Sequence, residues 1–171
     1  VVCFVNDTAT TETFVLSPNA LWAGSQAGQF VRVQLELNGR RVDRAYSLSS
    51  RPGARRIAFT VKQQDQGLVS THLHTNVKVG DVLTISQAMG EFILPDTLPD
   101  KLLLLSAGSG ITPVMSMLRD LKQRQYCGDV VFLHVCRAPD DLIFAEQLKA
   151  LAADYAAIRL VLHYDGSAGA F

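Results

Sequence analysis

The sequence predicts two units of different class, an antiparallel β-barrel or sandwich followed by a parallel βαβαβ unit. Three observations predict this. Short runs rich in Val, Ile, Phe and Thr recur as far as Ser86, each bounded by a turn signal. After Pro95 and Pro99 the texture changes to near-continuous apolar strands alternating with amphipathic helices. Hydrophobic residues make up 48% of the 171 and charged residues 19%, a composition that supports a real core.

In the first unit the expected strands are Thr13 to Leu16, Phe30 to Leu37, Ile57 to Lys62 and Val82 to Ser86. Asn38-Gly39, Arg51-Pro52-Gly53, Gln66-Gly67 and Gly80-Asp81 are the turns between them. One short helix is expected from Ser70 to Asn76. The boundary lies near Asp96 to Asp100, giving units of 1–98 and 99–171. In the second unit Lys101 to Ser106 is a buried strand. The helix after it carries Val114, Met117, Leu118 and Leu121 on one face, with Thr112 as N-cap and Pro113 in the first helical position. A strand at Val130 to Val135, a helix from Asp141 to Ala153 and a strand at Ile158 to Tyr164 complete the pattern. Phe144, Leu148 and Leu151 face inward on that second helix. Strands and helices in this alternation form a parallel sheet with right-handed crossovers.

Composition excludes several functions. Sixteen basic and sixteen acidic residues cancel, so no nucleic-acid footprint exists. No apolar run approaches a membrane span, and Val1 to Thr11 lack the layout of a signal peptide. Cys3, Cys127 and Cys136 are too widely spaced for a disulfide framework or a metal knuckle; they read as small buried hydrophobes in a reduced, cytoplasmic setting. His72 and His74, two apart on the short helix, do not face each other and read as surface or half-buried. His134 and His163 fall in strands and read as packed. Met115 and Met117 read as core and helix surface. No nucleophile elbow or converging pair of carboxylates is visible, so the chemistry must come from cofactors.

Three clusters carry that chemistry. Arg44-Ala45-Tyr46-Ser47-Leu48-Ser49-Ser50 sets a cation, an aromatic face and hydroxyls side by side, with Arg44 and Tyr46 on one strand face. Gly67-Leu68-Val69-Ser70 opens the short helix, where backbone amides attract a pyrophosphate. Ala107-Gly108-Ser109-Gly110-Ile111-Thr112-Pro113 joins a parallel strand to a helix, the usual docking place of a dinucleotide phosphate, although the third glycine of the usual fingerprint is absent. Each cluster taken alone also reads as an ordinary strand or turn.

In order, Gly28-Gln29-Phe30, Arg44-x-Tyr46-Ser47, Gly67-x-x-Ser70, Gly80-Asp81, Gly90-Glu91-Phe92 and Gly108-Ser109-Gly110-Ile111-Thr112-Pro113 resemble the ferredoxin–NADP reductase superfamily, most closely bacterial reductases serving oxygenases or desaturases. The resemblance implies an antiparallel Greek-key flavin-binding β-barrel followed by a partial parallel nucleotide-binding domain. It implies electron flow from NAD(P)H through FAD to a ferredoxin-type iron–sulfur or other one-electron acceptor, or, as the alternative, a flavin-binding relay subunit that is not itself a dehydrogenase. By that resemblance Arg44 holds flavin phosphate, Tyr46 packs against the isoalloxazine and Ser47 lies near its N5, which makes Tyr46 and Ser47 the pair at the reacting edge. Val61 and Lys62 flank the ribityl and adenine side, and Gly67, Val69 and Ser70 bind pyrophosphate. Gly108, Ser109, Gly110 and Thr112 face the nicotinamide dinucleotide, and Arg137 lies near it.

The resemblance also implies two further strands and a Cys-Gly-Pro segment after the third parallel strand. None follows before Phe171, and the closely spaced cysteines of an iron–sulfur domain are absent, so any [2Fe-2S] cluster belongs to a domain or partner outside this chain. The chain is therefore expected to be part of a longer protein, with Lys101 to Ser106 left at a bare sheet edge. Tyr164-Asp165 stands where NADPH-selective members often carry basic residues, which points to NADH.

Overall fold

The computed structural model describes residues 1–166; the last five residues of the second predicted unit, 167–171, lie outside the described residues. The first part holds β1 (Cys3–Thr8), β2 (Thr11–Leu16), β3 (Phe30–Leu37), β4 (Arg40–Ser47), β5 (Ile57–Lys62), α1 (Leu68–Asn76) and β6 (Thr84–Ile85). Two antiparallel three-stranded sheets form, in the orders β1-β2-β5 and β4-β3-β6. They meet where β4 runs on into β5: Leu48 bridges Phe59, and the Ser49 amide donates to the Ala58 carbonyl at 2.8 Å. Because β2 pairs with β5 across the β3–β4 hairpin, the order along the barrel is that of a Greek key.

Side-chain alternation makes this core. In β3, Val31, Val33, Leu35 and Leu37 point inward while Arg32 and Glu36 face water. Phe14 of β2 stacks on Phe59 of β5 at 5.3 Å, and Val69 and Leu73 of α1 close one end. β1 and the first half of β4 were not expected. Their sequences, CFVNDT and RRVD, are too polar to read as strands alone; pairing with β2 and β3 forms them. The last strand is shorter than expected. Only Thr84 and Ile85 pair regularly, against Gln34 and Val33, and Val82 is 94% exposed.

The second part holds β7 (Lys101–Ala107), α2 (Ile111–Gln123), β8 (Asp129–Cys136), α3 (Ala145–Asp154) and β9 (Ile158–Tyr164). The three strands form one parallel sheet in the order β7-β8-β9. Val114, Met117, Leu118 and Leu121 of α2 pack on Phe132, Phe144 and Leu148. Both helices begin differently from expectation. A 3-10 turn over Gly108–Gly110 already coils the chain, so α2 starts at Ile111 with Gly110 as its cap; Thr112 lies inside the first turn, with its hydroxyl donating to the Ser109 carbonyl at 2.6 Å. Pro113 is tolerated there because amides of the first turn have no intrahelical acceptor. Pro139–Asp141 forms a separate 3-10 turn, and Phe144 takes a left-handed φ of 63°, so α3 begins only at Ala145.

Other expectations need correction. His163 is exposed, not packed, because β9 is an edge strand with one open face. Cys127 is exposed in the turn before β8 and Cys3 is half-buried; only Cys136 is buried. Met115 and Met117 are both buried. Leu103 and Leu105 of β7 are 63% and 59% exposed, as expected of an edge strand whose outer face is uncovered among the described residues.

Candidate functional site

The three sequence clusters converge on one cavity of about 480 Å³. Arg44, Tyr46 and Ser47 of β4 line it, with Lys62 at the end of β5 and Gly67, Val69 and Ser70 at the start of α1. Ser109, Gly110 and Thr112 close it from the second unit. Three predicted residues lie elsewhere. The side chain of Val61 is wholly buried in the barrel core. Gly108 turns the chain behind the lining, at φ +50°. Arg137 is exposed after β8, with Asp141 at 3.9 Å, and does not line the cavity.

Strand periodicity explains the position of Val61 and reveals residues that had not been singled out. On β5, Phe59 and Val61 face the core, so Thr60 and Lys62 share the opposite face, and Gln64 follows just beyond the strand; all three line the cavity. Alternation from Lys62 was the signal that could have found Thr60. Leu68 and Pro113, flanking motif residues, complete the wall.

Each part of the wall has a distinct chemical character. The Arg44 guanidinium is exposed; it donates to the Asp43 carbonyl at 2.8 Å and has no carboxylate partner among the described residues. It is a cation open to an anionic ligand. Tyr46 is half-buried and lies against Phe59 with ring centroids 5.4 Å apart. Burial raises its phenol, with Arg44 opposing, so the ring stays neutral. The hydroxyl of Ser47 makes no side-chain hydrogen bond within the described residues.

The start of α1 is built from backbone. The first intrahelical bond runs from the Thr71 amide to the Gly67 carbonyl, which leaves the amides of Leu68, Val69 and Ser70 without helical acceptors. The Ser70 hydroxyl is engaged within the loop: it accepts from the Gln64 amide at 3.1 Å and donates to the Gly67 carbonyl at 3.2 Å. A Cβ on Gly67 would stand 2.5 Å from that hydroxyl, so glycine here is a packing requirement of the loop. Gly110 is the opposite case. Nothing lies within 4 Å of a Cβ added there, so the backbone faces open space.

The histidines stand apart. His74 Nε2 lies 3.0 Å from the Val61 carbonyl. His134 is wholly buried, with Nδ1 2.8 Å from Ser106 Oγ and Nε2 without a partner. Burial pushes its imidazole below the ordinary 6.5. Among the described residues no cluster of His, Cys, Asp and Glu could hold a metal ion, and no helix is long and apolar enough to cross a membrane.

Comparison with known proteins identifies the same two parts. Residues 5–93 match the oxidoreductase FAD-binding domain and residues 104–169 the oxidoreductase NAD-binding domain. An NADPH oxidoreductase of Mycobacterium tuberculosis is 42% identical over 161 residues, covering 90% of this chain and 42% of that protein. NADH oxidoreductase HCR of Escherichia coli is 44% identical over 125 residues, covering 72% and 38%. The chain thus spans about two-fifths of the length of these curated relatives. A ferredoxin NADP+ reductase from Neisseria gonorrhoeae, solved with bound FAD and NADP, superposes with a TM-score of 0.83 at 27% identity, covering 99% of this chain and 68% of that one.

Proposed function

The chain belongs to the ferredoxin–NADP reductase-like flavoproteins, whose FAD-binding and NAD-binding oxidoreductase domains it carries, and on that premise we propose that it passes electrons from NAD(P)H through FAD to a one-electron acceptor. The proposed acceptor is an iron–sulfur domain of the ferredoxin type, or another one-electron centre, serving an oxygenase or desaturase. One observation carries the reading: a single cavity takes its walls from the flavin-side clusters of the barrel and from the glycine loop of the parallel unit.

The residues present fit a flavin dinucleotide. The open guanidinium of Arg44 and the three orphan amides of α1 supply two anion sites, and the Tyr46 ring supplies a flat neutral face in the same cavity. Bound there, FAD would take a hydride from the nicotinamide and release the electrons singly. The roles of the chain's residues follow from their chemistry. Arg44 and the α1 amides bind phosphate. Tyr46, backed by Phe59, holds the ring plane and excludes water from one side. The unengaged hydroxyl of Ser47 donates to the polar ring edge. The open backbone at Gly110 admits the nicotinamide nucleotide, with the Thr112–Ser109 hydrogen bond keeping the loop in shape.

Anaerobic addition of NADH and then NADPH to the FAD-loaded full-length protein tests this. The account predicts rapid bleaching of the flavin's visible band by at least one nucleotide. Flavin that stays oxidised with both would sink the dehydrogenase reading and favour the relay subunit.

A further inference from the structure

Hydrogen bonds from α2 fasten the two units to each other, and one of its side chains, Arg119, also grips α3. On α2, Ser116 and Arg119 lie one turn apart and both reach the barrel. The Ser116 hydroxyl donates to the Ser50 carbonyl at 2.6 Å. Arg119 donates through Nη1 to the Ser49 carbonyl and through Nη2 to Oε1 of Gln147 on α3. Its guanidinium carbon lies 5.3 Å from the centroid of the Phe144 ring. Asp7 of β1, in the barrel, accepts from the Thr13 hydroxyl at 2.6 Å. The left-handed backbone of the buried Phe144 is a conformation that its surroundings must enforce.

The choice of arginine is informative. The guanidinium is largely buried, burial pushes its pKa down to about 10, and no carboxylate lies within ion-pairing distance among the described residues. A buried cation of this kind is a poor source of stability compared with an apolar side chain of similar size. What it supplies is direction, because the planar fork bonds two partners at fixed angles. Those partners belong to different units. Ser49 follows Ser47 by two residues, and α2 begins immediately after the glycine loop. The contact therefore joins the two walls of the cavity through short, stiff segments.

We propose that Arg119 is a positioning residue, whose fork ties the Ser49 carbonyl of the barrel to Gln147 and Phe144 of the nucleotide unit and thereby sets how the Ser109–Thr112 loop faces Tyr46 and Ser47. The kinetic consequence rests on the dehydrogenase reading above; the structural consequence does not.

The test uses full-length protein in a cysteine-free background, with spin labels at Glu36 and Ala153, exposed positions on the barrel and on α3. In the parent protein the label distances form one narrow distribution. In Arg119→Met they broaden or shift, and Arg119→Lys, which keeps the charge but not the fork, lies between. In unlabelled FAD-loaded protein, Arg119→Met lowers the limiting rate of flavin reduction by about 10- to 100-fold, the scale of a misplacement near 1 Å, while the nucleotide Kd moves less than about threefold. Unchanged distances in folded Arg119→Met overturn the proposal, and so does an unchanged limiting rate where the distances have changed. A parent flavin that neither nucleotide bleaches sinks the dehydrogenase reading instead, and the label distances then decide the tie between the units by themselves.

Discussion

In the proposed function, Arg44 is the side chain that would hold flavin phosphate most directly. Its guanidinium lines the cavity without a carboxylate partner among the described residues, so a phosphate placed there would gain a charge-assisted bond, partly screened by water because the group is exposed. Arg44→Ala is expected to weaken FAD binding by roughly 1.5–3 kcal/mol, while the exposed Arg55→Ala leaves it unchanged; fluorescence titration of the apoprotein measures both. His134 makes a prediction of a different kind. Burial depresses its pKa below the ordinary 6.5, so the unfolded chain takes a proton first as pH falls. Its contribution to stability is complete above that value and is lost as pH drops toward the folded-state value, at up to ~1.4 kcal/mol per pH unit. Denaturant midpoints at pH 7.5 and 5.5 should diverge more in the parent than in His134→Phe; equal slopes contradict this. Arg44 and Tyr46 were legible in the sequence because a cation and an aromatic ring two apart on a strand share a face. Val61 was not: family likeness placed it beside the flavin, whereas period two on β5 turns it to the core and gives that face to Thr60 and Lys62.

Among the elements, the loop from β7 to α2 carries the sharpest expectation. Gly110 has ordinary helical backbone angles and faces open space, so alanine there costs the fold nothing and stabilises it by up to about 1 kcal/mol through the unfolded chain. On the proposed function, the added methyl group would stand where the nucleotide approaches. Gly110→Ala should keep or raise the unfolding midpoint and weaken NAD(P)H binding at least about tenfold, read by titration of the flavin-loaded protein. Unchanged affinity would place the nucleotide elsewhere. Elements with strong periodicity, such as β3, β5, β9 and the buried face of α2, were readable to the residue. The starts of α2 and α3 were not, because 3-10 turns at Gly108–Gly110 and Pro139–Asp141 coil the chain without an apolar pattern. β1 and the first half of β4 were hidden for a related reason: their polar composition becomes strand only through pairing with a partner.

At the scale of the molecule, the class of each half followed from composition and spacing and the common role of the three clusters from the family resemblance, but the junction between the halves followed from neither. Arg119 looks in the sequence like any helical arginine, and its role emerges only when α2, α3 and the Ser49–Ser50 segment are brought together. Gly28 is similar. Its φ of +101° and the approach of the Phe92 carbonyl and Met117 to the space of its absent Cβ mark a tight seam that no local pattern predicts. In the proposed function FAD occupies the cavity lined by Arg44, Tyr46, Ser47 and the start of α1. The most direct test is the visible absorption spectrum of the purified full-length protein, with the released cofactor identified by mass. The account predicts a flavin spectrum and the mass of FAD. A colourless protein that also refuses added FAD would contradict it.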